Sequence, residues 1–312
     1  MSAAPRNAFV SVVIPVFNSE PILPKLIARL RPVLDSISTR WEVILVNDAS
    51  RDGSWEAIRS LVAEDSRLLG IDLMRTYGQH NALLCGIRAV HGEIIVTMDD
   101  DLQHPPEEIP TLLAQLDLGY DVVYGTPARE QHGFLRDSAS LLTKFALQQV
   151  MGAATARDVS AFRVFRTPLR EAFAQYRGPQ VAVDVLLTWG TTRFSAVRVR
   201  HDPRKEGKSN YNFAKLVTAG LNLLTGFSTL PLRLASVIGF LFTLFGIGIL
   251  TFVLIQYVRS HGSVPGFPFL ASLTAIFSGA QLFALGIVGE YLARIHLRTM
   301  DRPSYSIRSR TD

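Results

Sequence analysis

Ile94-Ile95-Val96-Thr97-Met98-Asp99-Asp100-Asp101-Leu102-Gln103 is an apolar, β-branched run that ends in three consecutive carboxylates. Pro105-Pro106-Glu107-Glu108 follows as the start of a helix. Strand, acidic turn and helix start are the parts from which an open α/β sheet builds a site at the carboxyl edge of its strands. Adjacent carboxylates repel, and each raises its neighbour's pKa. A divalent cation removes that cost. Oxygen-only ligands suit Mg²⁺ or Mn²⁺, ions that partner phosphates. The turn therefore points to metal-assisted chemistry on a phosphorylated or nucleotide substrate. The plainer alternative is an acidic loop that caps the helix at Glu107.

Outward from this turn, strand and helix patterns alternate. Strands are expected at Val10–Val16, Trp41–Val46, Leu68–Leu73, Glu93–Met98 and Asp121–Gly125. Helices are expected at Pro24–Leu34, Trp55–Ala63, Asn81–Val90 and Ile109–Leu116. Such alternation gives a mostly parallel sheet with right-handed crossovers. Beyond Gly125 the pattern loosens. Leu135–Val150 and Val181–Trp189 read as helices, and Ala161–Phe165 and Ser195–Arg200 as strands. Tyr211–Thr225 carries Phe213, Leu216, Val217, Leu221 and Leu224 around Lys215, the spacing of an amphipathic helix in a membrane interface.

The 312 residues are 48% hydrophobic and only 19% charged, which is apolar for a soluble enzyme. The excess is local. Leu234 to Val258 and Phe267 to Gly289 contain no Asp, Glu, Lys or Arg. A bilayer core needs about 20 apolar residues in a helix. Both runs reach that length, and Ser260 to Pro268 can turn between them, so a transmembrane hairpin is expected rather than two core helices. Met1 to Ala8 has no apolar signal region, which places the first 230 residues in the cytosol. Arg204, Lys205, Lys208, Lys215 and Arg233 precede the first span, and Arg294, Arg298, Arg302, Arg308 and Arg310 lie at or beyond the end of the second. The positive-inside rule then puts both termini in the cytosol.

The net charge of +5 comes largely from these flanking residues and suits anionic membrane lipids. Nucleic acid is not an expected partner, because the chain has no basic-aromatic motif or recognised nucleic-acid module. Cys85 is the only cysteine, which excludes a disulfide and a thiolate metal cluster and fits a core position.

A parallel sheet raises the dinucleotide-binding fold, but Pro15-Val16-Phe17-Asn18-Ser19-Glu20 after the first strand is not G-x-G-x-x-G, and there is no P-loop. Something other than a glycine-rich turn must neutralise phosphates, and a metal at the acidic triplet is the natural candidate. Asp48 after the second strand and Arg75 and Gln79 after the third share the edge with Asp99, Asp100 and Asp101. A carboxylate at Asp48 can accept from a base imide or a ribose hydroxyl; turn or cap roles are the alternatives for Asp48 and Asp52.

Three segments, Ser11-Val12-Val13-Ile14-Pro15-Val16-Phe17-Asn18, Val46-Asn47-Asp48-Ala49-Ser50-Arg51-Asp52-Gly53-Ser54 and Asp99-Asp100-Asp101-Leu102-Gln103, resemble the inverting glycosyltransferase family 2, which has the GT-A fold. Asp158-Val159-Ser160-Ala161-Phe162-Arg163, Arg204-Lys205-Glu206-Gly207-Lys208-Ser209-Asn210-Tyr211 and the two spans narrow the likeness to the polyprenyl-phosphate glycosyltransferases. That group includes dolichyl-phosphate mannose synthase, bactoprenol glucosyltransferases and undecaprenyl-phosphate aminoarabinose transferases. The likeness covers nearly the whole chain. It implies that Pro15, Val16, Phe17, Asn18, Glu20 and Asp48 hold the nucleoside. Asp99 and Asp101 become the D-x-D pair, with Asp101 nearest the metal and Gln103 beside it. Asp158 matches an acidic residue near the acceptor, and Arg163, Arg204, Lys208 and Ser209 are placed at phosphate oxygens. Asn47 departs from the pattern, since many members have a second Asp there, and Ala161 stands where some have Asp or Gly.

A polyprenyl phosphate needs no base to become a nucleophile, because a phosphate monoester has a second pKa of about 6. The reaction needs a metal on the leaving diphosphate and cations that bring two anions together. Asp158 can then position the acceptor or act as a general base. The expected protein is a GT-A-type catalytic domain over 1–210, an interfacial helix region over 211–230, a hairpin over 231–294 with spans near 233–258 and 267–291, and a basic tail over 295–312. It is expected to sit in the bacterial inner membrane and to move a sugar from a nucleotide sugar, with UDP as the leading carrier, to a polyprenyl phosphate; a homo-oligomer is compatible. A membrane-tethered nucleotide-binding scaffold is the alternative outside catalysis, and Asp99 to Gln103 with Asp158 favour the enzyme. A processive polysaccharide synthase is the other, and the chain has no Q-x-x-R-W motif.

Overall fold

Val10–Val16 (β1), buried along its whole length, is the centre of the sheet in the computed structural model. The structure describes residues 7–127, 148, 151–152, 158–178, 181–202, 225–259 and 266–311. Trp41–Asn47 (β2), Leu68–Leu73 (β3) and Ile94–Thr97 (β4) run parallel to β1, so their carboxyl ends share one edge. Val122–Pro127 (β5), Arg163–Arg166 (β6) and Phe194–Val199 (β7) extend the sheet beyond β4, with β6 antiparallel to both β4 and β5. Among the described residues the strand order is β7-β5-β6-β4-β1-β2-β3-β8, and β8 is Ile307–Arg310, antiparallel to β3. The mostly parallel, GT-A-like sheet expected from the alternation is the one observed. The tail expected over 295–312 instead contributes an edge strand.

Pro15 lies inside a central strand, where a missing N–H is normally excluded. Val13 directs its carbonyl at the N–H of Met98 and Val16 directs its carbonyl at the N–H of Asp48, so alternate residues face β4 and β2. Pro15 therefore faces the β4 side at a point where pairing has already stopped at Val13–Thr97. The proline ends the ladder where the acidic turn leaves the sheet.

Leu23–Ile37 (α1), Ser54–Glu64 (α2) and Ile109–Asp117 (α4) pack on one face, against Val12, Ile14 and Val43. Gln79–Ala89 (α3) and Val183–Leu187 (α5) cover the other, against Val13, Ile44 and Val46. Cys85 sits in this second layer, where burial pushes its thiol up to about 12. The first four strands and helices fall within three residues of their expected bounds. The helix expected over 135–150 lies outside the described residues except Gln148, and that over 211–225 except Thr225.

Leu230–Arg259 (α6) and Phe267–Thr299 (α7) are long and apolar enough to cross a membrane, with candidate spans at Leu230–Val253 and Ile276–Leu297. Their apolar side chains, such as Phe240, Phe252 and Leu282, are exposed, which water penalises and lipid does not. Phe242 and Phe277 meet edge to face between them, 5.8 Å apart.

The backbone of α3 comes so close to β1 that a Cβ on Gly86 would lie 2.3 Å from Val13 Cγ1 and 3.1 Å from Val46 Cγ2. Gly86→Ala gains helix propensity but overpacks this contact, which costs about 1–3 kcal/mol. A lower thermal midpoint for the detergent-solubilised variant is expected. An unchanged or raised midpoint contradicts the close packing.

Candidate active site

The turns that leave β1 and β2 are laced together at the carboxyl edge. Asn18 N–H donates to Ser50 Oγ (3.0 Å), Arg51 N–H to Asn18 Oδ1 (2.8 Å), Ser19 N–H to Ser54 Oγ (2.9 Å) and Gly53 N–H to Glu20 Oε2 (3.0 Å). Asn18 and Ala49 adopt left-handed backbone, at φ 55° and 53°. Asn tolerates that region, whereas an alanine there costs about 1–2 kcal/mol. Strain of this kind is retained where the surrounding structure over-determines a functional turn.

Asp48 is buried between these turns, and its carboxylate accepts the N–H groups of Tyr77 (2.7 Å) and Gly78 (2.8 Å). Burial raises its pKa, and those two N–H bonds oppose the rise. Its first use is thus to clamp the β3–α3 turn beside the site. Asn47 donates from Nδ2 to Asp72 Oδ1 (2.7 Å), and Asp72 is paired with Arg308 at 3.2 Å. An Asp at 47 would set a second carboxylate against Asp72, which accounts for the departure from the family pattern at this position.

Among the three carboxylates, Asp100 turns inward. Its Oδ2 accepts from Ser19 Oγ (2.5 Å) and Phe17 N–H (3.2 Å). Burial raises its pKa, the Ser19 and Phe17 bonds lower it, and the neighbouring Asp101 charge raises it again. Asp99 Oδ1 accepts from Gln79 Nε2 (2.6 Å), and Asp101 Oδ1 accepts Gln103 N–H (3.0 Å) in its own turn, where Leu102 is left-handed at φ 60°. Asp99, Asp101 and Gln103 offer only oxygen ligands, the set that hard divalent ions prefer. Among the described residues no cluster of three or more His, Cys, Asp or Glu could hold a metal by itself. The donor set fits an ion bound through one or two carboxylates and completed by substrate phosphates, the habit of Mg²⁺.

Residues 200–202, after β7, are fixed on this turn. Asp202 N–H donates to Gln103 O (2.9 Å), Arg200 lies 3.8 Å from Glu107, and the His201 and His104 rings meet edge-on at 5.1 Å. His104 is also stacked on Phe162. Burial, with His201 beside it, lowers the His104 pKa to about 4 against the pull of Asp101, so the ring is neutral at physiological pH. The segment that leads to Arg204 thus starts at the acidic turn; Arg204, Lys208 and Ser209 themselves lie outside the described residues.

Several expected site residues are placed otherwise than the resemblance implied. Pro15 and Val16 are buried at the carboxyl end of β1. Glu20 shares its carboxylate with the N-terminus of α2. Arg163, expected at a lipid phosphate, is 1% exposed and forms an ion pair with Asp184, while its Nε donates to Thr97 Oγ1 (2.9 Å). Tyr124 Oη donates to the same Asp184 (3.1 Å). Arg163 therefore braces the end of β4 from within the fold. Phe17 and Arg75 are exposed at the edge, with the Arg75 guanidinium 4.6 Å from the centre of the Tyr77 ring. Asp158 is half-buried on the approach to β6. Ser19, His104 and Asp184 carry no signal in the sequence, although His104 directly follows Gln103, and Arg308 reads there only as a membrane-flanking arginine.

A mixed sheet of this order, with an acidic turn at its carboxyl edge, defines a GT-A-like glycosyltransferase. The chain belongs to glycosyl transferase family 2, whose family model matches residues 11–173. Undecaprenyl-phosphate 4-deoxy-4-formamido-L-arabinose transferase of Shewanella sediminis is 36% identical over 302 residues, covering 96% of this chain and 91% of the relative. The same-named protein of Salmonella choleraesuis is 35% identical over 301 residues, covering 96% and 92%. Glucosyl-3-phosphoglycerate synthase from Mycobacterium tuberculosis, solved with Mn²⁺, UDP and phosphoglyceric acid, shares the fold with a TM-score of 0.52 at 18% identity, over 70% of this chain and 76% of that one. Mannosyl-3-phosphoglycerate synthase from Rubrobacter xylanophilus also scores 0.52, at 16% identity over 70% and 72%.

Breaking a buried ion pair costs about 3–5 kcal/mol, because one charge is left without a partner. Arg163→Ala is expected to lose that much stability in thermal or urea unfolding. Arg163→Met combined with Asp184→Leu should recover most of it. A stable Arg163→Ala that fails only in transfer to lipid would return Arg163 to the role of a phosphate ligand.

Proposed function

We propose that this enzyme transfers a sugar, with inversion, from a UDP-linked donor to a polyprenyl phosphate at the cytosolic face of the bacterial inner membrane. The observation that carries the reading is the joining, in one chain, of the acidic turn and laced donor loops to a membrane hairpin whose far end returns to the sheet. The relatives named above, similar over 96% of this chain, are supporting context for the acceptor.

The chain's own residues divide the work. Phe17, Asn18, Asp48, Arg75 and Gln79 lie at the edge where the nucleoside would bind, and Asp99, Asp101 and Gln103 would hold Mg²⁺ or Mn²⁺. The bound ion supplies positive charge to the leaving diphosphate. Arg204, Lys208 and Ser209 receive the lipid phosphate, where a guanidinium can bridge two anions bidentately. The acceptor oxygen is already ionised near neutral pH, so Asp158 orients it and takes no proton.

Purified protein incubated with undecaprenyl phosphate and a panel of labelled nucleotide sugars tests the reaction. The panel begins with UDP-linked 4-deoxy-4-formamido-L-arabinose, the sugar named in the relatives. Label should move into the lipid extract, EDTA should stop it, and Mg²⁺ or Mn²⁺ should restore it. Asp101→Asn should lose at least about 100-fold in turnover while its thermal midpoint holds. Full activity in EDTA would remove the metal from the scheme.

The topology reading puts both termini in the cytosol and 260–268 on the far side. A Ser263→Cys variant checks it without further change, because Cys85 is buried and its raised pKa keeps the thiol protonated. A membrane-impermeant maleimide should label Ser263→Cys in intact spheroplasts and leave the unsubstituted protein unlabelled. Labelling confined to inside-out vesicles reverses the orientation.

A further inference from the structure

After α7 the chain re-enters the catalytic sheet beside the donor loops. Thr311 N–H donates to Gly70 O (3.0 Å), Gly70 N–H donates to Thr311 Oγ1 (2.7 Å), and Met74 N–H donates to Ser306 O (2.9 Å), so the returning segment runs along β3 from Gly70 past its end. Arg308 lies within this segment. Its Nη1 is 3.2 Å from Asp72 Oδ2 and its Nη2 donates to Met74 O (2.8 Å). Asp72 is 3% exposed at its side chain and has a second partner, Asn47 Nδ2, at 2.7 Å. Asn47 Oδ1 accepts Ser50 N–H (3.3 Å), and Ser50 Oγ accepts Asn18 N–H (3.0 Å). A continuous chain of polar contacts therefore runs from a residue beyond the second membrane helix to both donor turns.

We infer that Arg308 is a positioning residue for nucleotide binding: through Asp72 and Asn47 it sets the β2–α2 turn that faces the donor. The inference rests on the donor reading proposed above. Three features favour positioning over simple edge pairing. The buried Asp72 carboxylate faces the Arg308 guanidinium at 3.2 Å, and breaking a buried pair from one side leaves a charge without a partner. Asn47 is the residue just before Asp48, so a shift of its side chain moves the clamp on Tyr77 and Gly78. Ser306 O accepts Met74 N–H at the end of β3, so the same returning segment also holds the start of the turn that Asp48 clamps. Arg308 contacts no part of the acidic turn among its described partners, so donor affinity should change and the chemical step should not. Donor binding then depends on a strand that forms only after the membrane hairpin has been made.

The test uses full-length protein in nanodiscs, titrated with UDP in the presence of Mn²⁺, alongside steady-state transfer. Arg308→Gln should weaken UDP binding about tenfold and raise the donor KM in parallel, with kcat within about twofold of the original. Arg308→Lys keeps a cation on Asp72 and should restore most of the affinity. Asp72→Asn combined with Arg308→Gln removes both charges, avoids an unpaired buried carboxylate and serves if the single variant does not fold. It should still bind UDP more weakly, because the Arg308 anchor on Met74 is gone. Unchanged UDP affinity in folded Arg308→Gln, or in the double variant, overturns the inference, as does a lower thermal midpoint with normal affinity. If the unsubstituted protein binds no UDP, the donor reading fails, and this inference fails with it.

Discussion

Asp48, Asp72 and Asp184 lose nearly all their water at or near the carboxyl edge of the sheet, and each has to be given donors by the fold. Asp48 takes two backbone N–H groups, Asp72 takes Asn47 and Arg308, and Asp184 takes Arg163 and Tyr124. An unpaired buried carboxylate would otherwise change its protonation or unfold its surroundings. The partners come from elements far apart in sequence. Satisfying these charges therefore fixes the turns that end β1, β2 and β3 relative to one another. The site is built on these internal contacts, and Asp99, Asp101 and Gln103 stand on them at the end of β4.

The same requirement distinguishes the three carboxylates of the acidic turn from one another. Asp100 lies between two acidic neighbours, and the Ser19 hydroxyl and Phe17 N–H draw it toward the β1 turn. Three consecutive aspartates thus have unequal roles despite their identical chemistry. Arg163 shows the converse. A guanidinium near the acidic turn invites a ligand role, yet here it is committed inside the protein to Asp184 and Thr97. Its effect on the site is indirect, through the end of β4.

The membrane hairpin is bracketed by the catalytic sheet. α6 and α7 form the apolar hairpin, and β8 follows α7 by seven residues to close the edge of β3. Tyr291 Oη donates to Ser228 O (2.6 Å), which pins α7 to the start of α6. An edge strand that carries arginines also resists pairing with another sheet.

The sequence by itself determined the class of fold, the four leading strand–helix units, the acidic turn and the two apolar helices. Each of these rests on local periodicity: β-branched runs, helical spacing and the absence of charge over a bilayer's width. It also placed Phe17, Asn18, Asp48, Asp99 and Asp101 at one edge, since parallel strands end together. Only the tertiary structure decided what those groups bond to. β8 has four residues, Ile307-Arg308-Ser309-Arg310, with no apolar run, and its partner lies more than 200 residues earlier, so no local pattern marks it. The fate of Arg163 depends on Asp184 lying across the fold, and the identity of Asn47 depends on Asp72 and Arg308. Charge pairing of this kind is set by distance in space, and a linear pattern carries no information about which buried charge will find which partner.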